Sequence, residues 1–194
     1  MIKKIGIIPT VIVRRKSLNL IIDNNLIFFL RKCFPKCDLE ILCNTKRDNK
    51  LNLIISCGGN TIISLNKNIA NQLRSKLDKY YFKHALRKNI PFLGICHGAQ
   101  FIANYYKSKI IRKKNHTNKH HLINFDTKKK IIVNSYHDFS VIKLGKELKT
   151  IACADDLSIE AFKHNKKNIL GIMWHPERYK KIRKFDIQFL KKYL

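Results

Sequence analysis

The fold is decided by one stretch, Asn89-Ile-Pro-Phe-Leu-Gly-Ile-Cys-His-Gly-Ala-Gln100. Residues 90–95 are apolar and include a proline near their start, a pattern that is typical of a buried strand in a parallel sheet. The residues after Cys96 read as a helix, so this cysteine lies where a strand turns sharply into a helix. Gly94 and Gly98 stand two positions to either side, as such a tight bend requires. The stretch therefore predicts a nucleophile elbow with a cysteine at its tip.

A second segment supplies candidate partners for the cysteine. The apolar run 168–174 predicts a strand that ends at His175-Pro176-Glu177. In an extended chain, residues i and i+2 lie on the same side. Glu177 is therefore predicted to reach His175, and Pro176 stiffens that arrangement. With Cys96 at a helix N-terminus, where the dipole favours a thiolate, His175 as base and Glu177 as its orienting carboxylate complete a predicted Cys–His–Glu triad.

The order of motifs along the chain resembles one known family. G-I-C-H-G-A-Q, followed by W-H-P-E, is similar to the class I (triad) glutamine amidotransferase superfamily, and within it to the free-standing γ-glutamyl hydrolases. Residues 55–60 resemble the strand-end glycine pair that supplies one N–H to the oxyanion hole. Residues 133–138 resemble the V-N-S-x-H segment of that branch, and residues 3–8 resemble its first strand.

The resemblance implies roles for further residues. The backbone N–H groups of Gly59 and His97 would form the oxyanion hole, and the His97 side chain is interpreted as incidental. The γ-glutamyl group would be bound by six residues that match the family motifs: Gly58, Asn60, Gln100, Ser135, Tyr136 and His137.

Alternating strand and helix patterns predict an α/β fold, a flavodoxin-like sandwich of one domain over residues 1–194. The central sheet is expected to be mostly parallel, with helices on both faces and an antiparallel extension after residue 106. The sequence predicts helices over residues 19–32, 68–88 and 178–194, among others. Gly59, Cys96 and His175 all follow strands, and ligands of such sheets bind at the carboxyl ends of the strands.

The resemblance implies hydrolysis of a γ-glutamyl amide through a thioester on the cysteine, with release of glutamate and without a cofactor. The implied partner is a small-molecule γ-glutamyl substrate. Size and motif layout are most similar to hydrolases whose substrate is linked through a phosphate to a nucleotide, for modification of capsular polysaccharide. Two enzymatic alternatives stay open: a γ-glutamyl-γ-aminobutyrate-type hydrolase, and a glutaminase subunit that delivers ammonia to a synthetase. The oligomeric state is not predicted.

The charge of the chain suggests a different class of partner. Lys and Arg number 40 against 13 Asp and Glu, a formal net charge of +27. Such a charge attracts nucleic acid, or a phosphorylated substrate, to a cleft. The lysines are scattered through most segments, and no recognised nucleic-acid motif accompanies them. A nucleic-acid partner is therefore not predicted. If the chain is not an enzyme, the alternative function is that of a basic nucleic-acid-binding protein.

Cysteine and histidine spacing does not predict a disulfide scaffold or a metal site. The six cysteines are irregularly spaced in a chain too long to need cross-links. His116, His120 and His121 cluster as metal ligands can, but they are interpreted as residues of a flexible basic loop. Residues 107–119 are likewise predicted to form a basic surface loop. The segment Ile-Glu-Ala, which contains Glu160, resembles a segment that faces the cleft in relatives.

The sequence predicts a cytoplasmic chain with no membrane partner. No run is long and apolar enough to span a bilayer, and the first residues lack the apolar core and cleavage site of a secretory signal. The hydrophobic content of 45% is typical of a globular protein and excludes a disordered tail.

Overall fold

A computed structural model describes residues 2–45, 50–113, 116–126 and 129–194. The helices are α1 (Asn24–Cys33), α2 (Ile69–Lys88), α3 (His97–Tyr105) and α4 (Lys184–Tyr193). The strands are β1 (Lys4–Ile8), β2 (Thr10–Arg14), β3 (Ser17–Ile21), β4 (Asp38–Ile41), β5 (Leu53–Ser56), β6 (Phe92–Ile95), β7 (Lys109–Arg112), β8 (Thr117–Phe125), β9 (Lys130–Tyr136), β10 (Phe139–Lys143), β11 (Leu148–Ala154), β12 (Ile159–His164) and β13 (Ile169–Ile172). None of the helices in the described ranges combines the length and apolar character that a bilayer crossing needs.

One sheet of eleven strands organises the molecule and confirms the predicted α/β architecture. Strands β4, β1, β5, β6 and β13 lie side by side and are parallel. From β13 the sheet continues through β12, β11, β8 and β9 with antiparallel pairing, and β10 joins β12 to β7. The antiparallel extension predicted after residue 106 is therefore present and supplies six of the eleven strands.

The two faces of the parallel strands bury different helices because successive strand residues point to opposite faces. On one face Leu53 and Ile55 of β5 pack with residues of α1 and α4. On the other face Ile54 packs with residues of α2 and α3. Both faces are thus covered, as a sheet of nearly continuous apolar strands requires.

The predicted helix over 19–32 is wrong in its first part. Residues 19–21 belong to β3, which pairs with β2 from Thr10↔Ile21 to Arg14↔Ser17. Arg15 and Lys16 both have positive φ, as the two-residue turn of such a hairpin demands. The helix begins only at Asn24, where the side chain of Asp23 accepts a hydrogen bond from the N–H of Asn25.

Two other boundaries differ from the prediction. The last helix begins at Lys184 and not at residue 178, because Pro176–Arg178 forms a separate 3-10 turn. The predicted basic loop over 107–119 contains β7 and the start of β8, while residues 114 and 115 lie outside the described ranges. His116, immediately before β8, is 1% exposed and is not a surface residue.

Candidate active site

Cys96 lies at the end of β6, in the bend that leads into α3. Its φ is +51°, in a region that L-residues rarely occupy, and its N–H donates to the carbonyl of Ile172 at 2.8 Å. A Cβ on Gly94 would lie 2.4 Å from the carbonyl carbon of Gly98, and a Cβ on Gly98 would lie 2.1 Å from the carbonyl oxygen of Ser56. The strand therefore turns into the helix as predicted, and glycine is required at both flanks.

His175, which follows β13, lies against the cysteine. A Cβ on Gly58 would lie 2.5 Å from Cε1 of His175 and 3.5 Å from Cβ of Cys96, so this glycine leaves room for the imidazole. Nδ1 of His175 is 2.6 Å from Oε1 of Glu177. Pro176–Arg178 is a 3-10 turn and not the extended segment predicted, so it is a turn that folds the carboxylate back onto the imidazole.

The thiol and the imidazole change each other's proton affinity. Burial raises the pKa of Cys96, but the charge of His175 and its hydrogen bond outweigh burial and hold this pKa below the ordinary thiol value. Burial lowers the pKa of His175, but the Cys96 thiolate and the Glu177 carboxylate reverse the effect and raise it to about 9. Both shifts therefore favour the charged form of each group, a thiolate beside an imidazolium.

The loop after β5 approaches the cysteine from the other side of the cleft. Gly59 has a φ of +116°, and a Cβ there would lie 2.5 Å from Thr10. The hydroxyl of Thr10 donates to the carbonyl of Gly58 at 2.6 Å. The side chain of Asn60 accepts from the N–H of Val11 and donates to its carbonyl, both at 2.8 Å. This amide was predicted to bind substrate, but it is occupied in clamping the loop to β2.

The side chain of His97 was interpreted as incidental, but it holds the loop that follows β5. Nδ1 donates to the carbonyl of Asn60 at 2.8 Å, and Nε2 lies 2.9 Å from a carboxylate oxygen of Asp78. Asp78 also accepts from Arg74 and from the hydroxyl of Ser56. Burial raises the pKa of this carboxyl, but Arg74 and the hydrogen bonds from His97 and Ser56 hold it below its usual range. The backbone N–H of His97 is in the first turn of α3, where N–H groups have no partner within the helix.

A cavity of about 280 Å³ contains the cysteine and the imidazole. Four of the predicted binding residues line it: Asn60, Gln100, Tyr136 and His137. The side chain of Gln100 donates to the carbonyl of Phe139 at 2.9 Å. Arg178 also lines it and lies with its guanidinium 4.8 Å from the Tyr136 ring centre. The remaining lining residues are Gly59, Thr61, Asp138 and Phe139.

Ser135 does not line this cavity. Its hydroxyl donates to the carbonyl of His116, and the residue is fully buried. Neighbouring strand residues point to opposite faces, so Ser135 faces away while Asn134 and Tyr136 face the imidazole of the site. The side-chain binding role predicted for Ser135 is therefore not supported by its position.

Asn134 is a site residue that sequence reasoning missed. Its side chain donates to the carbonyl of His175 and accepts from the N–H of His175, both at 2.8 Å. The backbone N–H of Asn134 in turn donates to the hydroxyl of Tyr179 at 2.9 Å. The position of Asn134 in the Val-Asn-Ser segment could have marked it as a site residue. The sequence alone does not reveal which histidine its side chain contacts.

Comparisons with known proteins agree with this geometry. Residues 35–192 match the family model described as glutamine amidotransferase class-I. The chain is 42% identical over 140 residues to the gamma-glutamyl-CDP-amidate hydrolase of Campylobacter jejuni, with 72% of this chain and 68% of that protein covered. It is 28% identical over 126 residues to the putative glutamine amidotransferase-like protein YvdE of Lactococcus lactis. That match covers 54% of this chain and 53% of the relative.

The fold has a solved counterpart. The crystal structure of a glutamine amidotransferase from Thermotoga maritima superposes with a TM-score of 0.70 and 18% identity, covering 99% of this chain and 84% of the other. At this identity the likeness concerns the fold alone, whereas the family match and the Campylobacter relative rest on sequence. The chain therefore belongs to the class-I glutamine amidotransferase family.

Proposed function

We propose that this chain is a cysteine hydrolase that cleaves a γ-glutamyl amide bond, with Cys96 as nucleophile, His175 as acid–base and Glu177 as the carboxylate that orients the imidazole. The observation that carries the proposal is the series of thiol, imidazole and carboxylate at one cavity: Cys96 and His175 both line it, and Nδ1 of His175 lies 2.6 Å from Oε1 of Glu177. Such a series is what an activated thiol nucleophile needs.

The first half of the reaction forms a thioester. The Cys96 thiolate attacks the γ-carbonyl carbon, and the carbonyl oxygen takes up the negative charge in a tetrahedral intermediate. The N–H groups of Gly59 and His97 are proposed to donate to this oxygen, since both lie on the backbone segments that flank the cysteine. His175 then donates its proton to the leaving nitrogen, the C–N bond breaks, and the γ-glutamyl group remains on the sulfur.

The second half returns the enzyme to its starting state. Neutral His175 takes a proton from a water molecule as the water attacks the thioester carbonyl. The tetrahedral intermediate collapses, the C–S bond breaks, and glutamate leaves. The sulfur departs as a thiolate beside the imidazolium, which is the pair favoured before the reaction.

The proposed substrate is γ-glutamyl-CDP-amidate, which would give cytidine diphosphoramidate for capsular polysaccharide modification. The support is the 42% identity to a protein with this hydrolase name. Arg178 is a cation on the cavity wall that suits a diphosphate leaving group. Tyr136, 36% exposed beside it, offers a ring at the entrance against which a base could stack.

Glutamate release from a substrate panel tests the proposal. The panel is γ-glutamyl-CDP-amidate, γ-glutamyl-γ-aminobutyrate and glutamine, each with wild type and with Cys96→Ala. We expect release from γ-glutamyl-CDP-amidate that Cys96→Ala abolishes, and much slower release from the other two. Preference for γ-glutamyl-γ-aminobutyrate would overturn the substrate but keep the mechanism. Turnover that survives Cys96→Ala would overturn the mechanism.

A further inference from the structure

Three buried ionisable side chains meet next to the cleft and are not used by the proposed reaction. His116 precedes β8, His137 follows β9, and Glu160 lies in β12. All three are buried, at 1%, 3% and 0% exposure. Oε1 of Glu160 lies 3.7 Å from Nε2 of His137 and 3.9 Å from Nδ1 of His116. One nitrogen or oxygen of each residue lies within 4.8 Å of those of the other two.

Several polar atoms in and beside this cluster have no hydrogen-bond partner. In the described part of the chain, five buried side-chain nitrogen or oxygen atoms lack a hydrogen-bond partner. Both ring nitrogens of His137 and Oε2 of Glu160 are among them, and a fourth is Nε2 of His121, whose ring centre is 4.2 Å from that of His116. Buried polar groups are almost always paired, so four such atoms in one place indicate that the cluster accommodates a further polar species.

The surroundings of His116 are those of a metal ligand. Its Nε2 is 2.8 Å from Oδ2 of Asp156. Its Nδ1 lies 3.9 Å from Oε1 of Glu160 and 3.5 Å from the hydroxyl of Ser140, a long contact that a metal ion could replace. Asp156 is itself held by Lys113 at 2.7 Å and by the N–H of Ser158 at 3.0 Å. A carboxylate on the far nitrogen of a histidine fixes its tautomer and raises the basicity of the near nitrogen.

We propose that His116, His137 and Glu160 bind one divalent metal ion of the zinc class in the wall of the cleft. Two imidazoles and a carboxylate favour zinc over magnesium or calcium, which take oxygen ligands. Ligands of one tetrahedral zinc ion lie about 3.3 Å from one another, so small side-chain rotations close the set. His116 lines an open pocket of about 480 Å³, and His137 lines the cavity that contains Cys96, so the ion has a route of entry.

The ion would tie together three segments of the antiparallel half of the sheet. It would also fix His137 where the cavity wall passes from β9 to β10. The competing account is a buried ion pair of protonated His137 with Glu160, although 3.7 Å is longer than a hydrogen bond. The metal proposal does not depend on the substrate or on the triad, so its test can fail while the proposed function stands.

Metal loading of the whole chain gives the first test. Wild type and Cys96→Ala are stripped with a chelator, loaded with Zn²⁺, desalted and analysed for metal content. We expect one zinc per chain in both, because the site does not include the reactive thiol. Co²⁺ in place of Zn²⁺ should give the visible bands of a four-coordinate site without a near-ultraviolet thiolate band. Zinc that binds wild type but not Cys96→Ala would assign the ion to the active-site thiol and overturn the proposal.

Variants of the ligands give the second test. Glu160→Gln and His116→Ala should each weaken zinc binding more than ten-fold, and Asp156→Asn should weaken it ten- to a hundred-fold although all three ligands remain. His120→Ala, an exposed histidine on the same strand as His121, is the matched control and should bind as wild type does. Circular dichroism of the metal-free proteins checks that each variant folds.

Two results would overturn the site outright. One is a wild-type chain that retains no stoichiometric zinc after desalting. The other is zinc retained at wild-type affinity by both folded variants, Glu160→Gln and His116→Ala. Either result would leave the ion pair of His137 and Glu160 as the explanation of the cluster.

Discussion

The side chain of Asn134 and the backbone of His175 form two reciprocal hydrogen bonds, each 2.8 Å long, across 41 positions of sequence. The amide binds both polar groups of the histidine's own peptide units, so it fixes the backbone from which the imidazole projects. Because the imidazole also bonds to Glu177, His175 is held at both its backbone and its ring. Asn134 is thus a positioning residue for the proposed acid–base.

Replacing Asn134 by alanine should lower kcat by about ten- to a hundred-fold, because a displaced general base loses much of its effect. The variant leaves two buried backbone groups of His175 unpaired, so we also expect about 1–3 kcal/mol lower stability. Steady-state kinetics and urea unfolding measure the two effects. Asn124→Ala, which removes an exposed bond to Asp155, is the control and should change neither. A loss of stability with unchanged kcat would refute the positioning role.

The thiolate–imidazolium pair predicts how Cys96 reacts with iodoacetamide as the pH changes. The pKa of Cys96 lies below that of an ordinary thiol, so alkylation should already be fast near neutral pH. In His175→Gln the cation is lost while burial remains, so the pKa of Cys96 rises and alkylation at pH 7 should slow at least ten-fold, roughly one pKa unit.

Other cysteines of the chain calibrate that experiment. Cys33, whose pKa burial raises to about 12, should stay unmodified, and exposed Cys43 reports the rate of an accessible thiol. Peptide mass analysis separates the three. Equal alkylation profiles for wild type and His175→Gln would disprove the ion pair.

The pKa of His175 also predicts how turnover depends on pH. The imidazolium of His175 persists below its pKa of about 9 and is lost as the pH rises through that value, so turnover should fall there.

The contact between His97 and the carbonyl of Asn60 predicts a role for the histidine side chain. His97→Phe keeps bulk but removes both hydrogen bonds, which frees the loop that carries Gly59. We expect kcat to fall about ten- to a thousand-fold with a smaller change in KM, since losing an oxyanion donor costs up to that much. His84→Phe, at a buried histidine outside this network, is the control. If KM rises and kcat is unchanged, the loop serves binding and not transition-state stabilisation.

Arg178 should distinguish substrates by their leaving groups. Arg178→Gln removes the cation of the cavity wall, so KM for γ-glutamyl-CDP-amidate should rise about ten-fold or more, as expected for loss of a charge-assisted contact. Release from glutamine, whose leaving group carries no phosphate, should be little affected. The ratio of kcat/KM for the two substrates is the measurement. An equal loss for both would show that Arg178 acts through Tyr136 or Glu177, which it also approaches.

Local sequence was enough where a conformation depends on neighbouring residues. Gly94 and Gly98 around Cys96 predicted the elbow, because only glycine tolerates the backbone contacts of that bend. His175 and Glu177, two positions apart, predicted a contact that is present, although a 3-10 turn and not an extended chain brings it about. The parallel strands could also be predicted, since their apolar runs are continuous.

Only the tertiary structure decided which distant residues meet. Strand register turns Ser135 away from the cleft and brings Asn134 to His175, and a shift by one residue would exchange the two. Pairing with β2 made residues 19–21 a strand, and packing buried His97 beside Asp78 and His116 beside Asp156. The sequence by itself therefore determined the fold class, the family and the elbow that carries the proposed nucleophile, because these depend on local pattern. The supports of the site were decided by long-range pairing, which local pattern does not encode.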